Sequence, residues 1–317
     1  MVELVMLMGL PGSGKSTYAE NRYSNYQIHS SDQIRKELYG RQNVQENPSK
    51  VFQILHKRIR KNLEEGKSCV YDATNISSKK RRGALTEIVF TSPKLKELRD
   101  SKSLKLKCIM LATPWEICLE RNRNRLYRVP THTMNKMYKN FDVPFYHEGW
   151  DEIELIYLEG KWETLYKQPS FFINSTLNYN QNSKYHKISL GKHCALTAAS
   201  IINLYGGKYA SLNFASALHD CGKPFTKKYS LSEDNAHYYN HENIGAYNSL
   251  FYERYDEQVD KLLAASLIRW HMIPYAYRNM KESTLNKYKE LFNIEGEEGK
   301  TFWELLIMLH EADKIAH

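Results

Sequence analysis

Short apolar runs and helical periods alternate over the first 160 residues of the chain. The apolar runs predict strands at 4–8, 27–29, 68–71, 104–112 and 151–158. The segments between them carry the three-to-four-residue period of helices, most clearly at 48–65. Strands that alternate with helices in this way are typical of an α/β fold with a parallel sheet.

The pattern becomes helical beyond residue 184. Helical periods occur at 190–205, 211–219, 241–254, 257–270 and 301–316, with no convincing strand among them. Turn-forming residues dominate 174–183. We therefore predict an α/β domain at 1–160, a linker at 161–183 and an all-α domain at 184–317.

The first predicted strand runs directly into a glycine-rich turn. Residues 9–16 match G-x-x-x-x-G-K-[ST] at every fixed position, which is the P-loop pattern when a strand precedes it and a helix follows. Lys15 is placed for the β and γ phosphates of ATP, and the Ser16 hydroxyl for Mg²⁺. The predicted nucleotide-binding residues of the loop are Gly12, Ser13, Gly14, Lys15, Ser16 and Thr17.

Composition narrows the class of protein. The 317 residues are 42% apolar, enough for two packed domains, and no apolar stretch approaches the roughly 20 residues that a membrane helix needs. We expect a cytoplasmic protein without a membrane contact. The five cysteines include no C-x-x-C pair, so a metal site would use histidine and carboxylate ligands.

Charge is unevenly distributed between the two halves. Residues 1–160 hold 27 Lys and Arg against 19 Asp and Glu, whereas the remaining residues hold 18 against 17. A basic half that also carries a P-loop favours a polyanionic substrate such as nucleic acid, but solvated surface lysines explain the surplus equally well.

Asp32 and Arg35 lie three residues apart in the first turn of a predicted helix, so they share one face. In phosphoryl transfer to an alcohol, a carboxylate accepts the hydroxyl proton while a nearby cation holds the acceptor. The alternative is that Asp32 only complements the helix dipole. Asp72 and Asn75 follow another strand and are weaker candidates to approach Mg²⁺ or the acceptor.

A predicted helix from Pro114 carries Arg121, Arg123 and Arg125, and Arg128 lies just beyond it. Guanidinium groups over a triphosphate neutralise charge on the transferring phosphoryl group. A lid over the nucleotide and a solvated basic helix both fit this run.

The segments GLPGSGKST, SSDQIR, YDATN, ERNRNR and VPTHTMNKMY occur in an order that resembles the kinase domain of phage polynucleotide 5′-kinase and its P-loop relatives, over residues 1 to about 158. The resemblance implies transfer of the ATP γ-phosphate to a 5′-hydroxyl end of RNA or DNA. It implies that Asp32 is the general base, that Arg35 contacts the acceptor 3′-phosphate, and that Arg125, or Arg123, is the lid arginine. Small-molecule kinases share these motifs.

Eight of the twelve histidines fall after residue 180. The His219-Asp220 pair ends a predicted helix and opens into a loop, where both side chains can face one ion. A lone pair of this kind is more often a hydrogen-bonded couple than a metal site.

The stretches ALHDCGKPFTKK and HYYNHENIGA, with the order of the remaining histidines, resemble the HD phosphohydrolase superfamily over about 184–317. This resemblance implies that His193, His219, Asp220 and Asp313 hold one divalent metal, such as Mn²⁺, Fe²⁺, Co²⁺, Ni²⁺ or Zn²⁺. It also implies that His241 and His271 hold a second metal or contact phosphate. We expect His186 as a further candidate, Lys223 as a phosphate contact or a solvated lysine, and His237, His310 and His317 as structural or solvent-facing.

Together the two resemblances imply a bifunctional enzyme that heals nucleic-acid ends, with a 5′-kinase and a 3′-phosphatase or 2′,3′-cyclic phosphodiesterase. The chain carries no K-x-D-G ligase motif and no D-x-D-x-[TV] phosphatase motif, so sealing would need a separate ligase. A nucleoside or small-molecule kinase fused to a nucleotidase is the alternative enzyme, and a nucleotide-gated nucleic-acid-binding protein is the alternative of another class.

Overall fold

The computed structural model describes residues 1–42, 44, 46–157, 168–183, 187–230, 233–277, 279–292 and 296–317. The chain divides into two compact units. Unit 1 comprises Met1–Tyr138 and Pro144–Glu159, and unit 2 comprises Lys139–Val143 and Gly160–His317. In the range predicted as a linker, residues 161–167 lie outside the described residues and Pro169–Ser175 forms a helix, α8.

Unit 1 contains a parallel sheet of five strands in the order β2-β3-β1-β4-β5. The strands are β1 (Val2–Met8), β2 (Gln27–Ser30), β3 (Cys69–Asp72), β4 (Leu104–Ala112) and β5 (Glu152–Tyr157). β1 pairs with β3 on one side and β4 on the other. This central position explains why residues 4–8 are fully buried and continuously apolar.

The helices of unit 1 lie between the strands in sequence, as the pattern predicts. They are α1 (Lys15–Arg22), α2 (Ser31–Tyr39), α3 (Pro48–Glu64), α4 (Ser78–Leu85), α5 (Pro93–Asp100), α6 (Trp115–Arg123) and α7 (Thr131–Lys139). The prediction of an α/β domain on a parallel sheet is confirmed. One detail was wrong: α6 ends at Arg123, so Arg125 lies in the loop beyond the helix.

A fully buried ion pair holds the loop after β3. Arg81 donates to both carboxylate oxygens of Glu148, at 2.7 and 2.6 Å, and a third bond runs from Arg81 to the Asn75 carbonyl at 2.8 Å. Both side chains of the pair are fully buried, so the guanidinium has a fixed position. The pair therefore anchors the segment that follows Asp72.

Unit 2 is mainly helical among its described residues. Its helices are α8 (Pro169–Ser175), α9 (Leu190–Tyr205), α10 (Ala210–Leu218), α11 (Lys223–Thr226), α12 (His241–Ser249), α13 (Lys261–Trp270), α14 (Ile273–Tyr277), α15 (Glu282–Phe292) and α16 (Glu297–Ile315). None of the helices that the described residues form is both long and apolar enough to cross a membrane.

The prediction that unit 2 lacks strands was wrong. β6 (Lys228–Ser230) and β7 (Glu233–His237) form an antiparallel hairpin. Strands of three and five residues carry too few alternating positions to stand out from a loop in the sequence. The hairpin precedes α12 directly.

Lys261 gives unit 2 a pH-dependent stability. Burial, together with a smaller contribution from Arg254, lowers the pKa of Lys261 from 10.5 to about 7. Because the unfolded chain binds this proton more tightly, stability is lost as pH falls from about 10.5 to 7. We expect Lys261→Met to raise the free energy of unfolding by about 2 kcal/mol at pH 7 and to have little effect near pH 10.5.

Urea unfolding of the variant and the wild type at both pH values measures this difference. Lys208→Met, at an exposed lysine of the same unit, is the control. A gain that does not change with pH would contradict the assignment to Lys261 ionisation.

Candidate functional sites

The P-loop connects β1 to α1 and folds tightly because of its glycines. Gly12 and Gly14 have φ values of 87° and 93°, in the left-handed region. A Cβ on Gly12 would lie 2.6 Å from the carbonyl oxygen of Cys118, so α6 can approach the loop only when residue 12 is glycine. The sequence analysis did not predict this close contact between residue 12 and α6.

Lys15 lies inside the loop. Its Nζ donates to the carbonyl oxygens of Gly9 and Leu10, at 3.0 and 2.9 Å. Burial lowers the pKa of Lys15, while Asp72 opposes that change. The ammonium group therefore lies beside the loop backbone, where a phosphate would provide the stronger partner.

Ser16 and Asp72 meet at the start of α1. Ser16 Oγ donates to Asp72 Oδ2 at 2.7 Å. Burial raises the pKa of Asp72, and Lys15 opposes this. A hydroxyl and a carboxylate at the loop are oxygen ligands that fit Mg²⁺. Asn75 instead donates to the Leu7 carbonyl at 2.7 Å and holds the end of β1.

A cavity of about 650 Å³ opens beside the P-loop and includes Asp32 in its wall. The Asp32 carboxylate lies 3.0 Å from Arg35 Nη1 and 3.9 Å from Arg125 Nη2. The Ser30 side chain accepts a hydrogen bond from the backbone N–H of Asp32 and so caps α2. The Asp32 side chain is therefore not the helix cap. The Asp32 carboxylate is thus directed to the cavity between two cations.

The arginines after β4 differ in position. Arg121 and Arg125 line the cavity, and Arg121 Nη1 lies 3.5 Å from the Gly12 carbonyl. Arg123 is exposed and is absent from the cavity wall. Arg121 is one turn beyond Cys118, which contacts the P-loop, and this helical spacing is the signal that could have separated Arg121 from Arg123.

Unit 2 brings four of the predicted metal ligands together. His193 lies on α9, His219 and Asp220 follow α10, and Asp313 lies on α16. His193 Nε2 is 3.1 Å from His219 Nε2, 3.4 Å from Asp220 Oδ2 and 3.0 Å from Asp313 Oδ1. The four ligand atoms therefore surround one point.

The second oxygen of Asp220 faces the other two predicted histidines. Asp220 Oδ1 is 3.3 Å from His241 Nε2 and 3.9 Å from His271 Nε2. A Cβ on Gly222 would lie 2.0 Å from the His241 carbonyl oxygen, so glycine lets α12 come close to this loop. Asp220 therefore presents one carboxylate oxygen to each pair of histidines.

Backbone contacts fix the orientation of these imidazoles. The Nδ1 atoms of His219, His241 and His271 lie 2.8, 2.8 and 2.7 Å from backbone carbonyl oxygens. When Nδ1–H donates to a carbonyl, the Nε2 lone pair is the one that faces the cluster. Lone pairs that face one another and two carboxylates fit a bound cation.

Two histidines of the cluster differ in how tightly they bind a proton, and a metal would displace the proton of His193. Burial lowers the pKa of His271 to about 3, so its imidazole is neutral and able to bind a metal. For His193, burial lowers the pKa but the two carboxylates outweigh it and raise the value to about 9. Asp313 Oδ1 is buried and lies 3.0 Å from His193 Nε2, so either the proton of His193 or a bound cation can satisfy it.

Two residues outside the predicted set hold the carboxylates. Tyr275 donates to Asp313 Oδ2 at 3.0 Å, and Gln181 accepts from Lys223 at 2.8 Å. Lys223 is buried and lies 2.6 Å from Asp220 Oδ2, so it is not a solvated lysine. The sequence carries no motif that marks Tyr275 or Gln181, because their role depends on packing between distant segments.

A second cavity, of about 820 Å³, opens onto the histidine–aspartate cluster. His237 and His317 line it, although the sequence suggested structural or solvent-facing roles for them. His310 packs against Tyr275 with a ring distance of 4.2 Å. His186 lies outside the described residues.

Comparison with known proteins finds similarities over the first half of the chain. A family model described as an AAA domain matches residues 4–144. The L-seryl-tRNA(Sec) kinase of Methanococcus maripaludis is 28% identical over an alignment of 157 residues, and the match covers 47% of this chain and 56% of that protein. The chain thus spans about half the length of this curated relative. With the P-loop geometry, these matches identify a P-loop domain of the kinase type, a fold that implies the use of a nucleotide and Mg²⁺.

Solved structures show more distant similarity to part of the chain. A Pnkp1/Rnl/Hen1 RNA repair complex has a TM-score of 0.33 and 18% identity, over 43% of this chain and 42% of that chain. A deoxyadenosine kinase from M. mycoides has a TM-score of 0.30 and 14% identity, over 49% of this chain and 90% of that chain. Similarity at this level does not identify a shared activity.

Proposed function

We propose that the chain heals nucleic-acid ends with two separate activities. Unit 1 transfers the γ-phosphate of ATP to a 5′-hydroxyl of RNA or DNA, and unit 2 removes a 3′-phosphate or opens a 2′,3′-cyclic phosphate. The observation that carries the kinase part is the Asp32 carboxylate, which faces the P-loop cavity between Arg35 and Arg125.

In the proposed transfer, Asp32 accepts the proton of the attacking hydroxyl, which becomes a better nucleophile as its O–H bond breaks. Lys15 binds the β and γ phosphates, and Ser16 with Asp72 would hold Mg²⁺. Arg125 neutralises charge on the transferring group, and Arg121 supports it from α6. Arg35 would contact a phosphate of the acceptor. A polynucleotide provides such a phosphate and a free nucleoside does not, so this contact favours a polynucleotide.

The proposed hydrolase uses the histidine–aspartate cluster. His193, His219, Asp220 and Asp313 would hold one transition metal, and His241 and His271 a second with the other oxygen of Asp220. A bound divalent metal supplies a hydroxide near neutral pH and offsets charge on the phosphate. Lys223 holds the bridging carboxylate in place. The resemblance to the HD superfamily is the reason to assign phosphate ester hydrolysis to this donor set.

Two other acceptors compete for the kinase. The relative at 28% identity is named for L-seryl-tRNA(Sec), so a hydroxyl carried by an aminoacylated tRNA is a second candidate. A nucleoside or another small alcohol is the third, because small-molecule kinases share the P-loop motifs. A nucleic-acid-binding protein without turnover is the alternative of another class.

A panel of acceptors with γ-labelled ATP distinguishes these candidates. We expect label on a short 5′-hydroxyl oligonucleotide that carries internal phosphates, and at least about 10-fold less on the matching nucleoside, since the nucleoside offers Arg35 no phosphate. A 5′-phosphorylated oligonucleotide and seryl-tRNA are the controls. Label on nucleosides or on seryl-tRNA alone would overturn the polynucleotide assignment. Products with healed ends would still need a separate ligase.

A further inference from the structure

The cavity over the histidine–aspartate cluster has an aromatic side. His237 and Tyr239 line it with parallel rings, at a centroid distance of 5.5 Å and an interplanar angle of 6°. Tyr239 is 73% exposed although its ring is large. A stacked pair that presents a flat ring to a ligand cavity fits an aromatic ligand.

The backbone ties this pair to the metal ligands. Tyr238 lies between His237 and Tyr239 in the sequence, and its carbonyl oxygen is 2.8 Å from His241 Nδ1. The Tyr238 hydroxyl donates to the Gln181 carbonyl, and Lys223 Nζ lies 5.5 Å from the centre of the Tyr238 ring. The pair is therefore fixed relative to His241 and to the Lys223–Asp220 contact.

The hairpin places a cation beside the pair. Lys228 of β6 is directly opposite His237 of β7, and cross-strand partners share a face of the hairpin. Lys228 is exposed, whereas the lysines that line the cavity wall are Lys223 and Lys314. An aromatic face, lysines and the histidine–aspartate cluster in one cavity match three features of a nucleic-acid end, which are its base, its backbone phosphate and its terminal phosphate.

We propose that the His237–Tyr239 pair, which we call the aromatic step, stacks on the nucleobase of the end whose phosphate reaches the histidine–aspartate cluster. This inference rests on the proposed hydrolase function. It specifies the ligand as a nucleoside-bearing phosphate end rather than a simple phosphate ester. The base is held by stacking, which is tolerant of sequence.

Equilibrium binding of a fluorescent 3′-phosphorylated trinucleotide to the manganese-loaded protein tests the proposal, with an abasic 3′-terminal analogue as the second ligand. We expect the base to improve the affinity of the wild type about 10-fold, and Tyr239→Ala to remove this difference. Tyr239→Trp should retain it, since it keeps a stacking ring. Phe225→Ala, at an exposed aromatic outside the cavity wall, is the matched control and should bind as the wild type does.

Hydrolysis gives a second readout. Tyr239→Ala should raise KM for the trinucleotide about 10-fold with little change in kcat, while KM for the abasic 3′-phosphorylated analogue should change much less. Equal affinity of the wild type for the base-bearing and abasic ends would overturn the aromatic step. Base-dependent binding without any phosphate release would contradict the proposed hydrolase activity but would still support base stacking on the aromatic step.

Discussion

Asp220→Asn should abolish phosphate release from 3′-phosphate and 2′,3′-cyclic ends. Asp220 offers one oxygen to the His193–His219 side and the other to the His241–His271 side, so a single change weakens both metal positions. Asparagine keeps the volume and leaves an acceptor for Lys223, which limits the cost of an unpaired buried charge. Metal content after manganese or nickel loading, and phosphate release, are the two measurements.

The same variant should keep its kinase activity. The two sites lie in separate compact units, and each cavity is lined by residues of its own unit. Full phosphate release by Asp220→Asn would contradict the assignment of the metal site. Simultaneous loss of both activities, with an unchanged circular dichroism spectrum, would contradict the separation of the sites.

Asp32→Asn should reduce phosphoryl transfer to a 5′-hydroxyl end by about 10²-fold or more, the range expected for loss of a general base. The amide cannot accept the hydroxyl proton but retains an oxygen for Arg35. ATP binding should remain, because Lys15, Ser16 and Asp72 form their contacts without Asp32. Single-turnover transfer and the affinity for ATP are measured side by side.

Glu37→Gln is the matched control for this prediction. Glu37 lies on the same helix, is exposed, and pairs with Arg58 rather than facing the cavity. It should transfer phosphate as the wild type does. Wild-type transfer by Asp32→Asn would exclude Asp32 as the base and leave the dipole of α2 as the explanation for an acid at this position.

Local pattern was sufficient for much of unit 1. The apolar run at 4–8 and the glycines that follow it predicted β1, the loop and α1, because a buried parallel strand and a P-loop both depend on residues that are adjacent in sequence. The hairpin of unit 2 was missed, because its strands are too short for a period to show. The end of α6 was also misplaced, so Arg125 occupies a loop.

What the sequence by itself determined is the P-loop and its parallel sheet, together with a helical second half rich in histidines. Only the tertiary structure decided that the two oxygens of Asp220 face different histidine pairs, that Tyr275 and Gln181 hold the cluster, and that Arg121 rather than Arg123 lines the nucleotide cavity. The physical reason is the separation along the chain of the residues that determine each feature. Strands, loops and helical periods are set by neighbours along the chain, whereas a ligand cluster needs side chains from α9, α10, α12, α13 and α16 to converge, and that convergence is a product of packing.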